Sequence, residues 1–184
     1  MRKALLAFAL LGLITSSAAA QDASPRRSGF WLNVGFGWGS ADFSCDGCDT
    51  DRETGVTGQF ALGGTLSPQL LLGVESNGWY KEENGVKSLL GTSFAAVAYY
   101  YPSAEGNAFL KGGIGLASYL FDNGSLDDDG GISLLGGAGY DLPIGTKTSV
   151  TPVVTFQYGI MGHANGLEGV SQNIISLGAT FTLH

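Results

Sequence analysis

The chain is 184 residues long, with 9 basic and 16 acidic side chains, a net charge of −7, 30 glycines and only 14% charged residues. An acidic field of this kind excludes nucleic acid as a partner. A charged fraction well below the quarter usual for soluble domains implies that something other than water covers part of the surface.

The first element is a secretory signal. Arg2 and Lys3 precede the apolar run Ala4 to Ile14, and Ala18 and Ala20 supply the small-residue pattern that places cleavage before Gln21. The expected organisation is a signal peptide over 1–20, a short periplasmic segment over 21–28 and one barrel domain over 29–184. The apolar run is shorter than the ~20 residues a membrane helix needs, and no later stretch is long and apolar enough. A closed barrel is the remaining way to cross a bilayer with every backbone group paired.

Eight segments of period two follow, and period two means strand. Ser28 to Ser40 sets Phe30, Leu32, Val34, Phe36 and Trp38 against Trp31, Asn33 and three glycines. Gly55 to Leu66 sets Val56, Phe60 and Leu62 against Thr57, Gln59 and Ala61, and Leu70 to Tyr80 sets Leu72, Val74 and Tyr80 against Gly73, Glu75 and Asn77. Leu89 to Tyr101 alternates less cleanly, because Val97, Tyr99 and Tyr101 make its odd face apolar as well. Ala108 to Leu120, Gly131 to Tyr140, Ser149 to Tyr158 and Asn173 to Leu183 complete the set. An even number of such strands closes as an eight-stranded antiparallel up-and-down transmembrane β-barrel, all-β in class.

The connections alternate in length. Ala41 to Thr54, Lys81 to Ser88, Phe121 to Gly130 and Gly159 to Gln172 read as long polar loops, with tight turns at Ser67 to Gln69, Pro102 to Asn107 and Leu142 to Lys147. Long loops outside and short turns on the periplasmic side is the outer-membrane layout. A soluble barrel with its apolar face inward is the alternative. It would leave only Glu75, Lys111 and, near the rim, Asp141 to solvate the wall, too few for a water-facing exterior.

Aromatic residues collect at strand ends on the lipid parity. Phe30, Tyr100, Tyr140 and Phe181 fall at the periplasmic level, and Trp38, Tyr80 and Tyr158 at the outer level, where amphipathic rings favour lipid headgroups. Together with the signal and the closing run Ile174 to His184, the pattern resembles the small OmpA/OmpX-like outer-membrane β-barrels over essentially all of the mature chain. That resemblance implies residence in the bacterial outer membrane, contact with its lipid and lipopolysaccharide, and handling by the barrel-assembly machinery. The family commonly ends in Phe or Trp, whereas this sequence ends in His184 after Leu183.

Three groups of residues invite chemistry. Glu75 and Lys111 are the charges on the lumen side, with Asn33 and Gln157 as candidate neighbours. They read as a core network or as a gate over an ion path, the former favoured because eight strands leave an interior that side chains just fill. Cys45 and Cys48 flank Asp46-Gly47 in the first outer loop and read as a small disulfide in an oxidising compartment. Two cysteines are too few for a zinc site. The acidic loop residues Asp46, Asp49, Asp51, Glu53, Asp122, Asp127, Asp128 and Asp129 lack the spacing of a calcium loop. His163, Glu168 and Ser171 resemble the His-x-Ser-Asn region of lipid A 3-O-deacylases, themselves eight-stranded barrels with a Ser/His/Glu triad. The nucleophile position of that pattern is Ala164 or Asn165 here, and a hydrolase needs a hydroxyl within reach of its base. The expectation is therefore a non-enzymatic, monomeric barrel without cofactor, metal or wide pore. A lipid A modifying enzyme and a narrow channel are the alternatives.

Overall fold

In a computed structural model of the chain, the described residues are 27–44, 51–83, 86–120, 131–164 and 167–184, with side chains described except at 82–91, 119–120 and 162–169. The strands in chain order are β1 (Phe30–Ser44), β2 (Glu53–Ser67), β3 (Leu70–Glu83), β4 (Val86–Tyr100), β5 (Ala108–Leu120), β6 (Gly131–Tyr140), the two-residue stub β7 (Leu142–Pro143), β8 (Thr148–Ala164) and β9 (Leu167–Leu183). Every pairing is antiparallel. The stub lies beside β8 alone, β6 reaches past it to pair with β8, and β1 pairs with β9. The eight long strands thus close into a barrel, which removes the unpaired edges an open sheet would present.

The period-two pattern sorts the side chains as membrane residence requires. Phe36 is 73% exposed, Ile114 60% and Leu116 66%, all on the outer face, while Asn33, Glu75 and Lys111 are buried inside. An apolar belt outside and a polar lumen within is the arrangement lipid selects. The alternative soluble barrel would have the reverse.

Glycine on the inward face makes room for rings from facing strands. A Cβ built on Gly73 would lie 2.7 Å from Cζ2 of Trp31, and one on Gly139 would strike the ring of Phe109. This is why Val97, Tyr99 and Tyr101 spoil the alternation of the fourth segment: they are buried and join Trp31 and Phe109 in one cluster that fills the barrel.

The outer connections differ from the loops expected at Lys81 to Ser88 and Gly159 to Gln172. Pairing continues through them, with Lys81 opposite Ser88 and Glu83 opposite Val86 on β3 and β4, and with Gly159 opposite Gln172 and Ala164 opposite Leu167 on β8 and β9. Backbone hydrogen bonding is indifferent to side-chain polarity, so the ladder runs on once the strands leave lipid. At 17 residues each, β8 and β9 exceed the ~9–11 needed to cross a bilayer.

Candidate functional site

The lumen is stacked in layers, and the central one is polar. Lys111 on β5 places Nζ 2.6 Å from Oε1 of Glu75 on β3 and donates to Oε1 of Gln59 at 3.1 Å. Glu75 also accepts from Nδ2 of Asn77 at 2.9 Å and, on its other oxygen, from the hydroxyl of Tyr99. Gln59 donates onward to Oδ1 of Asn33 at 2.9 Å, and Nδ2 of Asn33 donates to the hydroxyls of Thr180 and Thr182 at 2.8 Å each. Six strands therefore share one network. A buried ion pair survives only when its remaining lone pairs and protons are bonded, and the Tyr99, Asn77 and Gln59 contacts supply those bonds. Gln157 belongs elsewhere, since its Oε1 accepts from Oγ of Ser93 at 2.8 Å.

Beside the network lies a cavity of about 10 Å³ lined by Thr57, Gln59, Asn77, Thr155, Gln157 and Ser176 among others, room for about one water. Apolar layers flank the polar one at both levels, and a polar line continues past the inner one along the wall, where Oγ1 of Thr182 lies 3.3 Å from Oγ1 of Thr151. On the periplasmic side Trp31 stacks edge-on to Tyr99 at 5.0 Å, and Phe109 lies 5.2 and 5.3 Å from Tyr99 and Tyr101. On the outer side Trp79 packs with Ala41 and Ile174, its Nε1 donating to the carbonyl of Gly39 at 2.9 Å. Phe43 joins that group to Met161, Val170 and Ala117 farther out.

Below the inner aromatic layer is a charged floor. The hydroxyl of Tyr101 donates to Oδ2 of Asp141 at 2.9 Å, and Oγ1 of Thr151 to its Oδ1 at 2.7 Å. Nε2 of His184 stands 3.3 Å from Oδ2, close enough to attract it but off the line of a hydrogen bond. Burial pushes the Asp141 carboxyl up, but His184, Thr151 and Tyr101 outweigh that and hold it below the usual carboxylate value. Arg27 is buried as well. The sequence marked Asp141 only as a rim charge and His184 only as a departure from the usual ending. Apart from the odd apolar run of Tyr99 and Tyr101, nothing local signals that these residues meet.

The aromatic residues at the strand ends lie on the outer wall. Phe30, Trp38, Tyr100, Tyr140 and Phe181 are exposed on the outer wall, and Tyr80 and Tyr158 are half-buried there. Trp38, Val56 and Tyr80 occupy one cross-strand row. Cys45 and Cys48 lie outside the described residues, as do most of the acidic loop residues. The backbone register sets His163 opposite Glu168, while Ser171 is opposite Ile160 on β8 and Ser44 on β1. No group of three metal-ligating side chains occurs among the described residues.

Comparison with known proteins agrees with this architecture. The family described as outer membrane protein beta-barrel domain matches residues 6–182. No curated protein matches the chain. Among solved structures, Neisserial surface protein A is similar at a TM-score of 0.58 and 18% identity, covering 85% of this chain and 97% of that one. The attachment invasion locus protein Ail of Yersinia pestis matches at 0.49 and 16% identity over 85% and 99% of the two chains. The outer membrane enzyme PagL matches at 0.46 and 16% over 84% and 99%. At such identities the likeness is one of fold.

Proposed function

The chain belongs to the outer membrane protein beta-barrel domain family, and from that premise we propose that it is a closed-lumen barrel whose work is done at its outer surface rather than through its interior. The observation that carries this reading is the layering of the lumen. The ion pair of Glu75 and Lys111 lies between the Trp31, Tyr99 and Phe109 layer and the Trp79, Ile174 and Phe43 layer. An ion following the lumen would have to shed its water twice against apolar rings, which is costly. The projecting β8 and β9 hairpin and the outer rim, where Lys81 pairs with Glu53 at 3.0 Å and Arg52 with Asp42 at 3.7 Å, are left to meet lipopolysaccharide or surface partners. The protein acts as a monomer in this reading and is inserted by the barrel-assembly machinery after its leader is removed.

Planar-bilayer recording tests it. Purified protein should insert without discrete conductance steps; regular steps altered by Glu75→Gln would favour a narrow channel, the second reading, to which the buried ion pair lends support. An enzyme acting on lipid A rests on His163, Glu168 and Ser171. It predicts loss of an acyl chain from lipid A with wild-type protein and none with His163→Ala.

A further inference from the structure

The seam between β1 and β9, where the first strand meets the last, has a second fastening that does not run through the ladder. Arg27, just before β1, crosses the periplasmic mouth. Its Nε donates to the carbonyl of Pro68 at 2.8 Å, in the turn from β2 to β3. Its Nη2 donates to the carbonyl of Ala104 at 2.6 Å, in the turn from β4 to β5. The guanidinium carbon lies 3.8 Å from the centre of the Tyr101 ring, a stacking distance for a cation on an aromatic face. From Tyr101 the contacts continue to Asp141 at 2.9 Å and from Asp141 to His184 at 3.3 Å. His184 directly follows β9, and its backbone N–H donates to the carbonyl of Lys147 at 2.8 Å.

We propose that Arg27, Tyr101, Asp141 and His184 form a clasp that ties the residues flanking the two seam strands to each other through the opposite wall, so that the seam resists opening. Segments flanking the outermost strands are ordinarily the first to fray. Here the bonds of Arg27 to the two carbonyls and of Tyr101 to Asp141 are charge-assisted, roughly twice as strong as neutral ones. Around the barrel β4 stands opposite β9. A strut from Tyr101 therefore spans the mouth and is complete only when every intervening strand is in place. Tyr101 is the shared link, offering its ring face to Arg27 and its hydroxyl to Asp141.

The test is a double-mutant cycle between Arg27 and His184, which touch different partners. Arg27→Ala, His184→Ala and the pair are unfolded in urea from phosphatidylcholine vesicles, in the wild-type and Tyr101→Phe backgrounds. The clasp predicts that the two substitutions together cost less than their separate effects combined, by about tenfold in the unfolding constant, as for residues sharing a network. It also predicts that Tyr101→Phe, which keeps the ring and removes the hydroxyl, erases that difference. Additive effects in the wild-type background, or coupling that survives in Tyr101→Phe, would overturn it. Should Arg27→Ala not fold, Arg27→Lys, which loses the planar fork, serves in the same cycle. Amide hydrogen exchange gives the seam readout: Phe181 to Leu183 should exchange faster in the Arg27 variant although the Pro68 and Ala104 carbonyls that Arg27 binds lie outside β9, and unchanged protection there would contradict the clasp.

Discussion

Lys111 and Glu75 stand 2.6 Å apart with both side chains fully excluded from solvent, and every strong contact of the pair is to another polar side chain of the lumen. The pair should therefore be costly to break and cheap to replace. Lys111→Met strands a buried carboxylate, and we expect it to lower unfolding stability by about 3–5 kcal/mol. Glu75→Gln combined with Lys111→Met leaves no buried charge and should recover most of the loss. Urea titrations of folded protein in vesicles, following intrinsic fluorescence, measure both.

The outer wall makes an opposite demand. Ile114 is 60% exposed and sits mid-strand on β5, so Ile114→Arg should cost ~2–4 kcal/mol if that surface lies at the bilayer centre. The same substitution at Leu142, at the periplasmic end and 39% exposed, should cost ~0–1 kcal/mol. Equal costs at the two positions would argue against a lipid-facing wall.

Packing inside the barrel depends on glycine facing aromatic rings. A Cβ on Gly73 would lie 2.7 Å from the Trp31 ring and press on the backbone of Leu62. Gly73→Ala should destabilise by about 1–3 kcal/mol through overpacking. Gly64, whose Cβ would meet nothing within 4 Å, should accept Ala with little loss. The gel shift between unheated and boiled samples, followed against temperature, reports the difference.

Acid should loosen the periplasmic floor. Asp141, outside the membrane-spanning segments, has a folded-state pKa held below its ordinary 3.8. Its contribution to stability is therefore complete above pH 3.8 and is lost as pH falls through the lower, folded-state value. The unfolding midpoint of the wild type should drop on acidification below that point, and the slope should flatten in Asp141→Asn. A variant that follows the wild-type curve would remove Asp141 as the cause.

Much of this was legible in the sequence because period two is a local signal. Phe30 to Trp38 and Ile175 to Leu183 declare their outward faces within a single strand, and Glu75 and Lys111 stand out as charges on the inward parity. What was hidden depends on closure. Arg27, Tyr101, Asp141 and His184 lie outside the long strands and are separated by 40 residues or more. No spacing rule brings them together until the barrel is shut. The blurred alternation at Val97, Tyr99 and Tyr101 was the trace of the inner aromatic layer, visible in sequence but without its partners Trp31 and Phe109. The paired ends of β8 and β9 read as a loop in the sequence because Gly159, Gly162, Gly166 and Gly169 break the period-two alternation, although the backbone goes on pairing.

The three tryptophans provide the most direct test of the central claim, that lipid covers the outer wall and side chains fill the lumen. Trp38 is 71% exposed on the wall, whereas Trp31 and Trp79 are buried at 1% and 0%. In vesicles of lipids brominated on the acyl chains, wild-type fluorescence should be quenched, and Trp38→Phe should abolish nearly all of that quenching. Quenching that persists undiminished in Trp38→Phe would place Trp31 or Trp79 against lipid and contradict the account.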